Sequence, residues 1–206
     1  MGARSRRGAR SAADAVERFL ESLVPEAALR KADVKGTPRR VAEAFRDDLL
    51  DGYRCDPAAI LRGAIPHPGH DLVAVTGIDF HAVCPHHLLP YRGTACIAYV
   101  PGGRVLGFGV LARLLDCFAH RLVIQEVLAR QVADALVEHL GARGAACVLD
   151  AEQMCLTVRG EKRREARTHT QAFAGEMDGD VAWQRRVLRL AAGEGTPPAR
   201  AARRRR

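Results

Sequence analysis

The chain predicts an α+β domain in which an antiparallel sheet is covered by helices. Three observations carry that expectation. Two helix-patterned segments come first, two strand-patterned segments follow, and two more helix-patterned segments precede one long strand. No internal repeat interrupts this order. A length of 206 residues with 48% hydrophobic side chains favours one domain with a substantial core.

Residues 12–23 place Val16, Phe19, Leu20 and Leu23 on one helical face. A second helix starts at Thr37-Pro38, Thr37 suiting the N-cap and Pro38 the first helical position. Val41, Ala44, Phe45 and Leu49 then form its apolar stripe. The proline-bearing stretch 55–70 reads as a connection. Strands are predicted at 71–80 and 94–100, with Pro101-Gly102-Gly103 turning the chain after the second. Helices are predicted over 110–119 and 123–140. In the longer one, Ile124, Leu128, Val132, Ala135, Leu136 and Leu140 repeat at helical spacing until Gly141. A strand at 145–159 and a last helix at 181–192 complete the pattern. The expected organisation is a basic tail over 1–11, a domain over 12–192 and an arginine-rich tail over 193–206. Within the domain, a helical part covers 12–54 and the core covers 71–192.

The net charge of +8 belongs to the ends of the chain. Nine of the 32 basic side chains lie in residues 1–10 and 200–206, and the other 23 face 24 acidic ones. Such tails are expected to be disordered and solvated. Without interleaved aromatics they give no sign of specific nucleic-acid recognition. No apolar run of about 18 residues is present, so no transmembrane helix is expected. The basic N-terminus lacks the apolar stretch of a secretory signal, and a cytoplasmic protein is expected. In that reducing setting the six cysteines read as buried thiols or metal ligands rather than disulfides. Cys96, Cys117 and Cys147 read as small core residues.

One motif carries chemistry. Cys84-Pro85-His86-His87, answered by Cys155, offers two thiolates and one imidazole to a metal, with a second imidazole alongside. Three protein ligands leave one position of a tetrahedral zinc ion open, which is what a catalytic zinc needs to hold a water. If Cys155 sits on a strand, then Gln153, Thr157 and Arg159 share its face, and Arg159 lies about 13 Å along it. That separation spans a nucleotide from base to phosphates, with a guanidinium clamp at the far end. Taken singly, each element has an ordinary explanation. A Cys-x-x-His pair is more often a buried thiol near a surface imidazole, and Glu126 suits the start of a helix.

Together the motifs resemble the GTP cyclohydrolase I family. The resemblance runs through residues 12–190 and rests on Gly36-Thr37-Pro38-Arg39-Arg40-Val41, CPHHLLPYRG (84–93), IAYVPGGRVLG (97–107), LARLLDCFAHRL (111–122), Gln125-Glu126, QVADAL (131–136), and Cys155 with Arg159-Gly160. It implies the tunnelling fold, assembled as a ring-forming homo-oligomer, commonly a decamer of two pentamers with active sites between subunits. It also implies a reaction in which a zinc-activated water attacks C8 of the guanine of GTP. The ring opens, formate leaves, and a dihydropterin triphosphate closes. By resemblance Cys84, His87 and Cys155 are zinc ligands, and His86 is the acid/base group near N7. Gln125 and Glu126 read the guanine, while Arg40, Arg113 and Arg159 bind the triphosphate.

Four departures bear on that chemistry. Pro85 replaces a glutamate, Gly109-Val110 replaces Ser-Lys, Val127 replaces an arginine, and Gln153 replaces the second catalytic histidine. A glutamine amide donates and accepts hydrogen bonds but cannot serve as a base. The first hydration therefore survives more easily than the later deformylation and ring closure. This leaves open an enzyme that stops at the formamidopyrimidine nucleotide, one that uses fewer phosphates, and a non-catalytic nucleotide-binding paralogue. His120 and His169 are the imidazoles that could stand in for the missing histidine.

Overall fold

The computed structural model describes residues 3–32 and 34–194, and the expected tail beyond 194 lies outside them. The chain divides at Cys55 into two units. The first contains α1 (Ala3–Leu23), α2 (Glu26–Lys31) and α3 (Thr37–Ala44), followed by a π turn (Phe45–Leu49) and a 3₁₀ turn (Asp51–Arg54). Helix α1 packs against α3. It begins at Ala3, inside the segment expected to be a disordered tail. Alanine and arginine are strong helix formers, and no proline interrupts the chain before Pro25. At α3 the expected cap is also displaced. Gly36, at φ 79°, holds the N-cap position, and Thr37 is already the first helical residue. Glycine adopts that left-handed backbone without the cost a Cβ would bring.

The second unit runs through α4 (Pro57–Leu61), β1 (Ile65–Pro66), β2 (Val73–Val83), β3 (Pro90–Val100), β4 (Arg104–Val105), α5 (Phe108–Ala119) and α6 (Gln125–Ala135). A π turn (Leu136–Leu140) extends α6, and β5 (Gly144–Gln153), α7 (Met154–Thr157), β6 (Thr168–Gly175) and α8 (Val181–Ala191) follow. Four strands form an antiparallel sheet in the order β2-β3-β5-β6, and β1 pairs separately with β4. None of these helices is long and apolar enough to cross a membrane, nor is any other among the described residues.

Side-chain alternation sorts the strands onto two faces. Tyr91, Ala95, Ile97 and Tyr99 of β3, with Ala145, Cys147, Leu149 and Ala151 of β5, join the main core with Leu111, Leu114 and Leu115 of α5 and Leu128 and Val132 of α6. Cys96, Ala98, Val100 and Ala146 point the other way and pack with Phe173, Met177 and Val187, near Trp183 and Leu188 of α8. The register brings Gly93 opposite Ala151, where a Cβ would stand 1.9 Å from the Asp150 carbonyl oxygen, so only glycine allows this approach.

Three differences from the expected elements matter for the site. The β2–β3 hairpin is longer than its predicted strands, pairing Val83 with Pro90, so the connecting turn shrinks to residues 84–89. Strand β5 is shorter than predicted, ending at Gln153 opposite Tyr91. The next partner on β3 would be Pro90, which has no N–H to donate, while β6 last pairs at Ala151. With partners exhausted on both sides, the chain turns into α7, so Cys155, Thr157 and Arg159 do not share a strand face. Strand β6 was not anticipated, because THTQAFAG lacks a clear apolar alternation.

Candidate active site and metal centre

The CPHHLL turn is held by its own backbone. Cys84 N–H donates to the Leu89 carbonyl (2.9 Å) and Leu88 N–H donates to the Cys84 carbonyl (2.9 Å). Leu88 takes φ 54°, an unusual backbone for a leucine, and Pro85 restricts the turn's first corner. Cys84 is buried, and His86 and His87 are exposed. His86 Nδ1 lies 3.7 Å from Cys84 Sγ, and the two imidazole rings stand 6.3 Å apart, edge to face.

Helix α7 brings the third donor. The ligand atoms of Cys84, His87 and Cys155 all lie within 4.8 Å of one another. Burial, and then the neighbouring Cys84 thiol, raise the Cys155 thiol above its ordinary range, while the Arg159 charge pulls it down. Two cysteine sulfurs beside an imidazole suit a cation that takes both as thiolates. Two sulfurs and one nitrogen favour a borderline-soft ion such as zinc. The residues present therefore fit a metal.

Arg159 reaches this cluster. Its guanidinium Nη1 donates to His87 Nε2 at 2.6 Å. The 13 Å spacing expected along a strand is lost because α7 and the turn after it double the chain back, with Arg163 N–H donating to the Leu156 carbonyl (3.1 Å). Thr157 is buried and its hydroxyl reaches Glu152 Oε1 at 3.4 Å.

Beside the cluster is a closed amide network. Gln153 Nε2 donates to Gln125 Oε1 (2.8 Å), and Gln153 Oε1 faces Cys155 Sγ at 4.0 Å. Gln125 is 3% exposed. Its Nε2 donates to the carbonyls of Leu149 (3.2 Å) and Thr168 (3.0 Å), and the Thr168 hydroxyl donates to its Oε1 (2.6 Å). Both donors and both acceptor positions of Gln125 are thus engaged. In this arrangement the side chain expected to read guanine is bonded to the protein itself. Glu126, the next residue, is exposed in the first turn of α6, where the helix dipole favours a carboxylate.

Tyr91 ties these parts together. Its hydroxyl donates to the Val123 carbonyl (3.0 Å), and Val123 N–H donates to the Val83 carbonyl (3.3 Å). The metal turn and the start of α6 are thereby clamped to one point. Burial first, then the nearby charges of Cys84 and Glu126, push the Tyr91 phenol far above its ordinary range. Tyr91 and Thr168 had no sequence signal beyond residue type, and Thr168 lies on the unanticipated strand.

The remaining candidates have their own local surroundings. Arg113 is exposed on α5, and Val110 is buried in the main core, so the valine serves packing. Arg40 belongs to the first unit, where its guanidinium donates to the Lys35 carbonyl (3.1 Å) and Thr37 Oγ1 (2.8 Å). His169 pairs across the sheet with Asp150, 3.7 Å away, on the face opposite Thr168 and Gln153. His120 stacks on His81 with ring centroids 4.5 Å apart and lies 3.9 Å from Asp116.

Comparison with known proteins agrees with this geometry. The sequence profile of GTP cyclohydrolase I matches residues 12–192. The chain is 42% identical over 179 residues to GTP cyclohydrolase 1 of Ralstonia nicotianae, covering 87% of this chain and 85% of that one. It is 43% identical over 153 residues to GTP cyclohydrolase 1 of Chromobacterium violaceum, covering 74% of each. The same-named protein of Allorhizobium ampelinum is 42% identical over 156 residues, 75% of this chain and 77% of that one. With a Cys-His-Cys cluster at the end of an antiparallel sheet backed by helices, the chain belongs to the GTP cyclohydrolase I family and has its tunnelling fold.

Proposed function

We propose that this chain is a zinc-dependent hydrolase of the GTP cyclohydrolase I type, opening the imidazole ring of GTP at C8 and releasing formate. The observation that carries the reading is the convergence of Cys84, His87 and Cys155 within 4.8 Å, in a chain that matches the family over residues 12–192. When bound, zinc supplies Lewis acidity and lowers the pKa of a water toward about 7.

The chain's own residues supply the rest. Cys84, His87 and Cys155 hold the ion. His86, exposed beside Cys84, exchanges protons with N7 of the purine. The Glu126 carboxylate accepts from N1–H and the exocyclic amine, a pattern that adenine cannot satisfy. Arg159 brings positive charge to the mouth of the cluster, and Arg113 and Arg40 serve the anionic end of the substrate. Gln153 accepts a hydrogen bond from the attacking water but takes no proton, which slows the later deformylation relative to ring opening. The assembly is a homodecamer working in the cytoplasm, where its thiols stay reduced.

Zinc-loaded protein incubated with GTP tests this by mass spectrometry and formate assay. We expect formate and a dihydropterin triphosphate, with the ring-opened formamidopyrimidine nucleotide accumulating ahead of them. If neither a ring-opened product nor formate is formed, the reading fails.

A further inference from the structure

We infer that Gln125 is a positioning residue: two backbone carbonyls fix its amide, and through it they fix Gln153 so that the Gln153 oxygen, not its NH₂ group, faces the Cys84–His87–Cys155 cluster. This rests on the proposed function of that cluster, and it goes beyond it by assigning what Gln125 and Thr168 do there.

The argument starts from the backbone. The carbonyls of Leu149 on β5 and Thr168 on β6 converge on one end of the Gln125 side chain at 3.2 and 3.0 Å. Carbonyl oxygens only accept, so that end must be the NH₂. A flipped amide would set three oxygens against one another at a side chain that is only 3% exposed. The other end of Gln125 is therefore its oxygen. It meets the Thr168 hydroxyl at 2.6 Å and Gln153 Nε2 at 2.8 Å. Because that oxygen only accepts, Gln153 must present its NH₂ to it. The Gln153 oxygen is left on the far side, 4.0 Å from Cys155 Sγ.

The chemical consequence is directional. An amide oxygen aimed at the cluster requires a proton donor there, and the attacking water is one. An amide NH₂ in that place would instead have favoured an anion. The network thus specifies an acceptor beside the reacting water, set by main-chain atoms two residues removed from the chemistry. Thr168 contributes twice, through its carbonyl and through its hydroxyl, and it occupies the site face of β6 while its neighbour His169 occupies the other.

Two measurements test this, one independent of turnover. Neutron diffraction from deuterated crystals should show the two deuterons of the Gln153 amide directed at Gln125 Oε1. Deuterons directed at Cys155 would overturn the inference even if the enzyme turns over GTP, and the experiment reads the orientation even if it does not. In kinetics, Gln125→Met and Thr168→Val should each lower kcat roughly tenfold, the scale of one lost hydrogen bond, with KM for GTP held within about twofold. Repeated on a Gln153→Ala background, the same changes should cost less than about twofold, because the residue they act through is gone. Zinc affinity by chelator competition should stay within about threefold of the parent. A raised KM that persists without Gln153 would show that Gln125 touches the guanine itself. A loss of zinc affinity of more than about tenfold would show that it supports the ligands, and either result overturns the assignment.

Discussion

The two faces of one sheet treat similar residues in opposite ways. On β5 and β6, Leu149, Gln153 and Thr168 face α6 and close a network in which every Gln125 donor and acceptor is engaged. One residue along, Asp150 and His169 point toward the α8 side. They lie 3.7 Å apart there and line an open cleft with Cys96 and Thr170. Both faces hold a group capable of proton chemistry, but only one is joined to the metal cluster. The lesson is that strand alternation, rather than distance along the chain, decides which polar residues a site recruits. His169, next to Thr168 in sequence, thereby faces away from the Gln125 network.

The sharpest way to break this comparison is at the cluster itself. Cys155→Ala leaves one thiolate and one imidazole, too few to hold zinc firmly, and turnover should fall by roughly 10³-fold or more. Zinc content after dialysis should fall with it, while α7 tolerates alanine as a good helix former. Retention of stoichiometric zinc by this variant would place the metal elsewhere. The equivalent change on the other face, Cys96→Ala, should leave zinc content at the parent value.

The next effect contrasts two histidines. Gln153→His puts a titratable ring where the amide stands, with Gln125 Oε1 ready to accept from one ring nitrogen. A positioned base typically contributes 10²–10⁴ in rate. Deformylation should therefore accelerate by at least roughly tenfold, and the accumulating formamidopyrimidine should disappear. The rate should also acquire a limb that rises with pH through about 6.5, as an ordinary imidazole loses its proton. His169→Ala, on the opposite face, should change neither the rate nor its pH dependence by more than about twofold. A large effect from His169 would mean that the α8 face takes part in the reaction.

How much of this was legible in the sequence follows the same division. The meeting of Cys84, His87 and Cys155 was legible because thiols and imidazoles at such spacings suit a metal. The helix cores were legible because apolar periodicity reports them directly, as in Leu128 and Val132 of α6. The end of β5 was not, because it depends on Pro90, a residue 63 positions before Gln153 whose missing N–H stops the ladder. That one termination brings Arg159 within 2.6 Å of His87 instead of leaving it farther along a strand. The Gln125 network was hidden for a related reason. Two of its partners are backbone carbonyls, which carry no residue identity, and another lies on β6, whose pattern is too polar to announce a strand.

The smallest expected effect compares the thiols of the two faces. Cys147, in the main core, and Cys96, on the α8 side, are both pushed up by burial, Cys96 to about 11 and Cys147 further still. A thiol whose folded pKa is raised keeps its proton while the unfolded chain ionises from about pH 8.5 upward. The stabilisation is fully present below that value and is lost as pH rises toward the folded pKa, by at most about 1.4 kcal/mol per pH unit for each group. Urea unfolding between pH 8.5 and 10 should therefore show a falling midpoint, to which the buried Tyr91 and Tyr99 add as pH nears 10. Cys96→Ala should flatten that slope by the share of one thiol, and Cys147→Ala should flatten it equally over this range, since neither folded thiol ionises below pH 10. Unequal slopes would mean that the α8 face admits water to Cys96 and that its thiol ionises in the folded chain.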